Sequence, residues 1–138
     1  MATLKALLET SLADYLTAAS VGTTNIYKGH SNLDKDAPCV ICQVASLEEE
    51  PLHSGNYNAE CHIIVKSMGA DGEYLLDSID EAVRNAIWTD TLAADLQVAG
   101  LTIWGAAASH KTDFGVEDDA LTATHIIILH CAPMTFPA

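Results

Sequence analysis

Four cysteines and six histidines are the residues of this 138-residue chain that could bind a metal or do covalent chemistry. Cys39 and Cys42 are separated by two residues, which is the spacing of half a zinc site. They lie in the apolar run 38–46, which is typical of a strand, and strand residues three apart point to opposite faces. The two thiolates are therefore not expected to reach one ion, and a structural place in the core is favoured.

Two histidines could converge only through the fold. His62 and His125 fall in separate predicted strands, and they could share a metal if those strands are neighbours, although no third ligand is fixed by spacing. His125 and His130 are five residues apart, an odd separation that places them on opposite faces of one strand. The sequence therefore predicts no metal site and no cofactor, with a metal shared by His62 and His125 as the open alternative.

Enzymatic motifs are lacking from the sequence. It contains no nucleophile elbow, phosphate-binding loop or dinucleotide fingerprint. Ser109 and His110 are adjacent along the chain, but a nucleophile and its base must converge in space. We expect no catalytic residues and a protein that is not an enzyme.

Charge and composition exclude further classes. Nineteen acidic residues against six basic ones give a net charge of −13, which repels nucleic acid and anionic membrane surfaces. The uncharged stretch 120–138 contains threonines, histidines and prolines, so it predicts a strand and a tail rather than a membrane span. The cysteines lie in apolar runs and the N-terminus has no signal pattern, which indicates free thiols and synthesis in the cytoplasm.

The elements that must position any site are organised around residues 56–88. Apolar residues alternate from Tyr57 to Val65, which predicts a half-buried strand. From Leu75 to Ile87 they recur at three and four, which predicts an amphipathic helix with Asp71 as its N-cap. Its outer side carries a set of charged residues, for which a solvated face with an Asp80–Arg84 pair is favoured over a cation site; these are Asp77, Asp80, Glu81 and Arg84.

The remaining chain supplies the partners of that strand and helix. We predict an N-terminal helix over 3–19 that ends near Gly22, and a short strand over 25–28. The run 38–46 predicts a central strand covered on both faces. A short helix capped by Thr89-Asp90 and two strands, 101–108 and 121–131, complete the order α-β-β-β-α-α-β-β. This is an α+β fold with a mixed sheet of about four to five strands and both main helices on one side.

The candidate contact residues lie in predicted loops or at a helix end. Glu48, Glu49 and Glu50 fall in the predicted loop 47–55, and Phe114, Asp118 and Asp119 fall in the predicted charged loop 110–119. Loops of this length often carry contacts. For the three glutamates a solvated loop is favoured over a contact surface, and for Phe114 local packing is the equal alternative. Trp88 at the end of the central helix is either an exposed interface anchor or folds under Leu92, and the second is favoured.

The succession of elements resembles that of bacteriophage tail terminator proteins. An N-terminal helix precedes the strand 38–46 and an acidic, proline-containing loop. The run Ser54-Gly55-Asn56-Tyr57 then leads into the strand 59–67, which is followed by a helix and two strands. The resemblance covers residues 3–132 and rests on this pattern of elements with a Gly-Asn-Tyr entry.

Membership in that family would imply a single domain, 1–138, that closes into a ring of six copies in the tail or neck of a virion. Such a ring caps the tail tube, docks the head-completion or connector protein, and lets DNA pass without specific binding. Six copies would carry −78, six times −13. The hypothesis places Glu48, Glu49, Glu50, Trp88, Phe114, Asp118 and Asp119 at the lumen or at ring contacts, with 132–138 as an arm that adds to a neighbouring sheet.

Three other functions remain open. One is a tube or head-closure component of the same particle, although a tube protein should have more strands and less N-terminal helix. Another is a small cytosolic enzyme or metal-binding oligomer, which needs His62 and His125 to converge. The third is an adaptor or antitoxin-like module, which would be a monomer or a dimer.

Overall fold

The computed structural model of the chain describes residues 3–21, 26–29, 39–49, 56–67, 72–89, 91–96, 101–117 and 120–132. Its elements are α1 (Leu4–Ala19), β1 (Ile26–Lys28), β2 (Cys39–Glu49), β3 (Tyr57–Ser67), α2 (Gly72–Ile87), α3 (Leu92–Asp95), β4 (Thr102–Glu117) and β5 (Ala120–Ala132). The strands form one sheet in the order β1-β2-β3-β5-β4. The predicted α+β class and the predicted order of elements are confirmed.

β3 lies at the middle of the sheet. It pairs antiparallel with β2 on one side and with β5 on the other, so its backbone groups are bonded along both edges. β1 pairs parallel with β2, which makes the sheet mixed. Alternate residues of β3 are buried from Ala59 to Ser67, which confirms the predicted period of two.

Both main helices pack on the same face of the sheet. Leu8, Leu12 and Leu16 of α1 are fully buried, as the predicted stripe requires. α2 contributes Ile79, Val83 and Ile87 to the same core. α1 lies against β1 and β2, and α2 lies against β3 and β5. Their buried side chains form a single hydrophobic core with one side of the sheet.

The ends of α1 follow from local chemistry. Thr3 is the N-cap, and its Oγ1 accepts a hydrogen bond from the Ala6 amide at 3.2 Å. The helix ends at Ser20, which adopts the left-handed conformation with a φ of 56°. We predicted Gly22 for the end of this helix, and that residue lies outside the described residues.

Two strands are longer than predicted. β2 continues to Glu49 and β4 continues to Glu117, so the predicted loops that begin at Leu47 and His110 are wrong at their start. In β2 the consecutive residues Ala45 to Glu48 are all exposed, so neither face of this end of the strand is covered. Polarity therefore does not mark a loop there.

The prediction that β2 is covered on both faces is also wrong. Val40, Cys42 and Val44 are buried, whereas Ile41 and Gln43 between them remain partly exposed. The short helix is slightly displaced from its prediction as well: α3 begins at Leu92 after Thr91, rather than after Thr89-Asp90. Asp90 lies outside the described residues.

A bulge changes which residues of β4 face the core. The register between β4 and β5 shifts between Ile103 and Gly105, so Trp104 is the extra residue. Ile103 and Ala106 are three apart, yet both pack in or against the core. On a regular strand they would point to opposite faces. The bulge allows this and leaves Trp104 on the surface, 52% exposed.

Candidate functional site

The side of the sheet that faces away from the helices keeps partly exposed residues on three neighbouring strands. We call it the outer face and define it by the residues of β3 and β5 that point away from the helices and are partly exposed, together with their exposed or partly exposed partners on β2. Its members are Ile41, Gln43, Ser46 and Glu48 on β2, Asn58, Glu60, His62, Ile64 and Lys66 on β3, and Thr124, Ile126, Ile128 and His130 on β5. The strand registers align them in rows across the sheet.

Four isoleucines give the outer face its apolar character. Ile41 pairs with Ile64, Ile126 pairs with His62, and Ile128 pairs with Glu60. All four isoleucines are partly exposed, although β-branched apolar residues of this size are usually buried. A sheet face that carries several of them on adjacent strands is typical of a contact surface in an assembly.

Two pairs of polar side chains on the outer face bond to each other. His62 Nε2 lies 3.0 Å from Glu60 Oε2, and His130 Nδ1 lies 2.5 Å from Asn58 Oδ1. His130 also lies over Gly105 of β4, where an added Cβ would come within 2.9 Å of its Cδ2 atom. Both bonds join groups within the face, so a partner that covers the face need not break them.

The acidic run is split by the strand that contains it. Glu48 lies opposite Asn58 and is exposed on the outer face, whereas Glu49 lies opposite Tyr57, which packs against the core on the helix side. Successive strand residues point to opposite faces, so these two carboxylates do not form one patch. Glu50, Asp118 and Asp119 lie outside the described residues.

The two predicted aromatic contact residues have different outcomes. Trp88 is 52% exposed, with the Arg84 guanidinium 5.3 Å from the centre of its ring. The favoured prediction that it folds under Leu92 is wrong, because a side chain packed there would be covered and half of the Trp88 surface is exposed. Phe114 lies in β4 rather than in a loop, within the register shift between Lys111 and Gly115. Its side chain lies outside the described part of the structure.

The helix residue Asp80 is buried, contrary to the prediction of a solvated face that includes it. Its Oδ1 is hydrogen-bonded to Nε2 of His125, which is fully buried on β5. Asp77, Glu81 and Arg84 are exposed as predicted. The spacing of apolar residues along α2 gave no sign that Asp80 is buried. The sign lies in β5, where His125 points into the core and needs a polar partner.

The alternative of a metal shared by His62 and His125 is wrong. His62 lies on the outer face beside Glu60, whereas His125 lies on the helix side beside Asp80. The sheet stands between the two rings, although β3 and β5 are neighbours. Within the described ranges no group of three or more histidine, cysteine or acidic side chains is arranged to hold a metal ion.

Glu9 is a second buried acid that the pattern of α1 placed outside. The Val44 amide donates to its Oε2 at 3.0 Å, and Lys5 Nζ lies 3.0 Å from the same oxygen. The pairing of β1 with β2 ends just before, where the Gly29 amide donates to the Cys42 carbonyl at 2.9 Å. Glu9 therefore takes the place of the next strand residue at the edge of β2. The sequence signal for the burial of Glu9 was its position in α1 as an isolated acid between leucines.

The four cysteines are free thiols and all are buried, as predicted. Burial raises the pKa of Cys42 and of Cys61 from about 9 to about 12, and that of Cys131 to about 11. These groups stay protonated in the folded protein at neutral pH. They behave as small apolar residues rather than as nucleophiles or ligands.

Comparisons with known proteins give little beyond this geometry. No protein family model matches the chain, and no curated protein matches its sequence. A solved chain from the virion of a native gene transfer agent particle is similar in overall arrangement, with 14% identity, 92% of this chain and 93% of that chain covered, and a TM-score of 0.43. A likeness at that level carries no argument about function. Among the described helices, none combines the length and apolarity that crossing a bilayer requires.

Proposed function

We propose that the chain is a structural subunit of a phage-like particle and acts as a tail terminator. Copies of it close into a ring of six that caps the tail tube and docks the head-completion or connector protein. In this proposal it makes and breaks no covalent bonds and needs no cofactor. It is synthesised in the host cytoplasm and ends in the tail or neck of the virion.

The observation that carries the proposal is the one-sided covering of the sheet. α1 and α2 both bury one face, and the outer face keeps isoleucines partly exposed on β2, β3 and β5. A protein that works alone gains nothing from such a surface and risks aggregation through it. A subunit of an assembly buries it against a partner. The order of elements also agrees with the family that the sequence resembles.

The negative charge then has a use in the ring. Acidic groups around the channel keep passing DNA from binding to its wall. Glu48 is exposed at the end of β2 and is the described acid of this set that is most open to solvent. We assign it, with Glu49, Glu50, Asp118 and Asp119, to the lumen or to ring contacts.

Charge neutralisation tests this assignment. The five acids are changed together to glutamine or asparagine, and Asp77, Glu81 and Asp95, which are exposed on helices, are changed in the control protein. We expect both proteins to melt at nearly the wild-type temperature, because an exposed charge such as that of Glu48 or Asp77 contributes little to stability. Only the first should impair tail completion or DNA ejection, measured as infectivity or DNA transfer. Wild-type levels from the first variant would contradict the assignment.

A tube or head-closure component of the same particle is the second candidate. The 16-residue α1 packed on the sheet favours a terminator over a tube protein, for which more strands and less N-terminal helix are expected. Electron microscopy of the protein mixed with assembled tubes separates the two. A terminator decorates only tube ends, whereas a tube component is found along the whole tube.

A further inference from the structure

We infer that the outer face is the surface through which one copy of this chain packs on another copy. The inference rests on the proposed function, which requires an assembly but leaves open what covers this face. Three occupants are conceivable: a second copy, a basic partner protein, or nucleic acid. The distribution of charge separates them.

The outer face is poor in charge in a protein that is otherwise strongly acidic. The whole chain carries −13, whereas the described outer face carries two carboxylates, Glu48 and Glu60, and one ammonium, Lys66, for a net of −1. Glu60 is further paired with His62 at 3.0 Å. Among the other acids whose side chains the structure describes, Asp77 and Glu81 lie on the exposed side of α2 and Asp95 is exposed on α3.

The low charge of the outer face favours a partner that is itself acidic, such as a second copy of the chain. A basic protein would gain most from the acidic surfaces and least from the outer face. Nucleic acid needs clustered lysines and arginines, and Lys66 is the one such residue on the described outer face. Two copies of an acidic chain repel each other over most of their surface, so they approach best where the charge is lowest. Interfaces are depleted of charge at their centre for the same reason.

The composition of the face suits burial. Ile64, Ile126 and Ile128 supply apolar area on neighbouring strands. The Nδ1 atom of His130 and the Oδ1 atom of Asn58 already bond to each other, so this bond can be kept when the face is covered. In a closed ring the outer face of one copy would contact a different surface of its neighbour. In a two-fold dimer it would contact the outer face of the second copy.

Self-association of the full-length protein tests the inference by analytical ultracentrifugation over a range of concentrations. We expect oligomers, and we expect them to strengthen as salt rises, because salt screens the repulsion between acidic copies. Ile126→Asp and the milder Ile126→Thr should weaken association, by about tenfold or more for the aspartate. Ala18→Asp adds the same charge to an exposed position of α1 and should leave association nearly unchanged.

Each other outcome overturns the inference. A chain that stays monomeric at high concentration and high salt, oligomers that tolerate Ile126→Asp, or equal weakening by Ala18→Asp would each do so. Circular dichroism of both variants establishes that they fold, and Ile126→Thr keeps the test available if the aspartate variant does not. Association through this face without any binding to tail tubes would support the inference and contradict the proposed function. Rings on tube ends that form through another surface would support the proposed function and contradict the inference.

Discussion

Asp80 on α2 and His125 on β5 are hydrogen-bonded to each other inside the core, where His125 is fully buried and Asp80 is 7% exposed. The pair joins the central helix to the strand beside β3. A buried imidazole without a partner is costly, so each residue explains the presence of the other. The pair lies on the helix side of the sheet, away from the outer face.

Removing the Asp80 carboxylate should destabilise the protein. Asp80→Ala leaves the buried His125 without this bond, and we expect a loss of about 1.5–3 kcal/mol in the free energy of unfolding. Asp77→Ala is the matched control, because Asp77 lies one turn earlier on the exposed side of α2. Urea denaturation measures both. Equal stabilities of the two variants would contradict a structural role for the pair.

Glu9 should be replaceable by glutamine but not by leucine. Glutamine keeps an oxygen that can accept from the Val44 amide, whereas leucine removes this acceptor. We expect Glu9→Leu to cost about 1–3 kcal/mol and Glu9→Gln clearly less. Asp14→Leu, at an exposed position of α1, controls for the loss of a carboxylate. Thermal and urea denaturation should agree, and equal costs for glutamine and leucine would count against the bond.

Gly105 should not tolerate a side chain. A Cβ at this position would come within 2.9 Å of His130 Cδ2, and the ring is held in place by Asn58. We expect Gly105→Ala to cost about 1–3 kcal/mol through overpacking. Ala107→Val on the same strand, at an exposed position, should cost little.

A double-mutant cycle isolates the Gly105 contact. In a His130→Ala background the added methyl group meets no ring, so Gly105→Ala should lose most of its cost. A cost that is the same in both backgrounds would assign the effect to the backbone rather than to the ring.

The buried thiols should make the protein less stable in alkali. The folded state holds Cys42 and Cys61 protonated up to about pH 12, whereas unfolded thiols begin to lose protons near pH 9. The unfolded state therefore binds fewer protons above that pH, and the free energy of unfolding falls as the pH rises from about 9 to about 12.

The measurement is urea denaturation at a series of pH values. Tyrosines and lysines titrate in the same range, so the control is Cys42→Ala/Cys61→Ala, which should show a shallower fall between neutral and alkaline pH. An identical slope in the two proteins would show that the thiols do not contribute.

Periodicity predicted the parts of the fold that depend on one buried face. The alternation along β3 and the spacing of Leu8, Leu12 and Leu16 gave both elements within a residue or two. It failed in β2 and β4, where register shifts at Val44/Ser46 and at Lys111/Gly115 break the period. A bulge changes the face of every later residue, so pattern alone cannot follow a strand through it.

The candidate site was harder to predict for a related reason. The acids were selected as a run along the chain, but strand geometry sends Glu48 and Glu49 to opposite faces. The better signal was the three consecutive isoleucines of β5, Ile126 to Ile128, since apolar residues in succession indicate that both faces of a strand are apolar. Sequence cannot tell whether the second face is covered by the same chain or by another molecule.

Electron microscopy of the purified protein mixed with tail tubes tests the central claim most directly, namely that this chain acts by covering surfaces in an assembly. The account predicts closed rings at tube ends, with growth of the tubes halted where a ring is present. A protein that never joins a ring or a tube under these conditions, and that instead turns over a substrate, would contradict it.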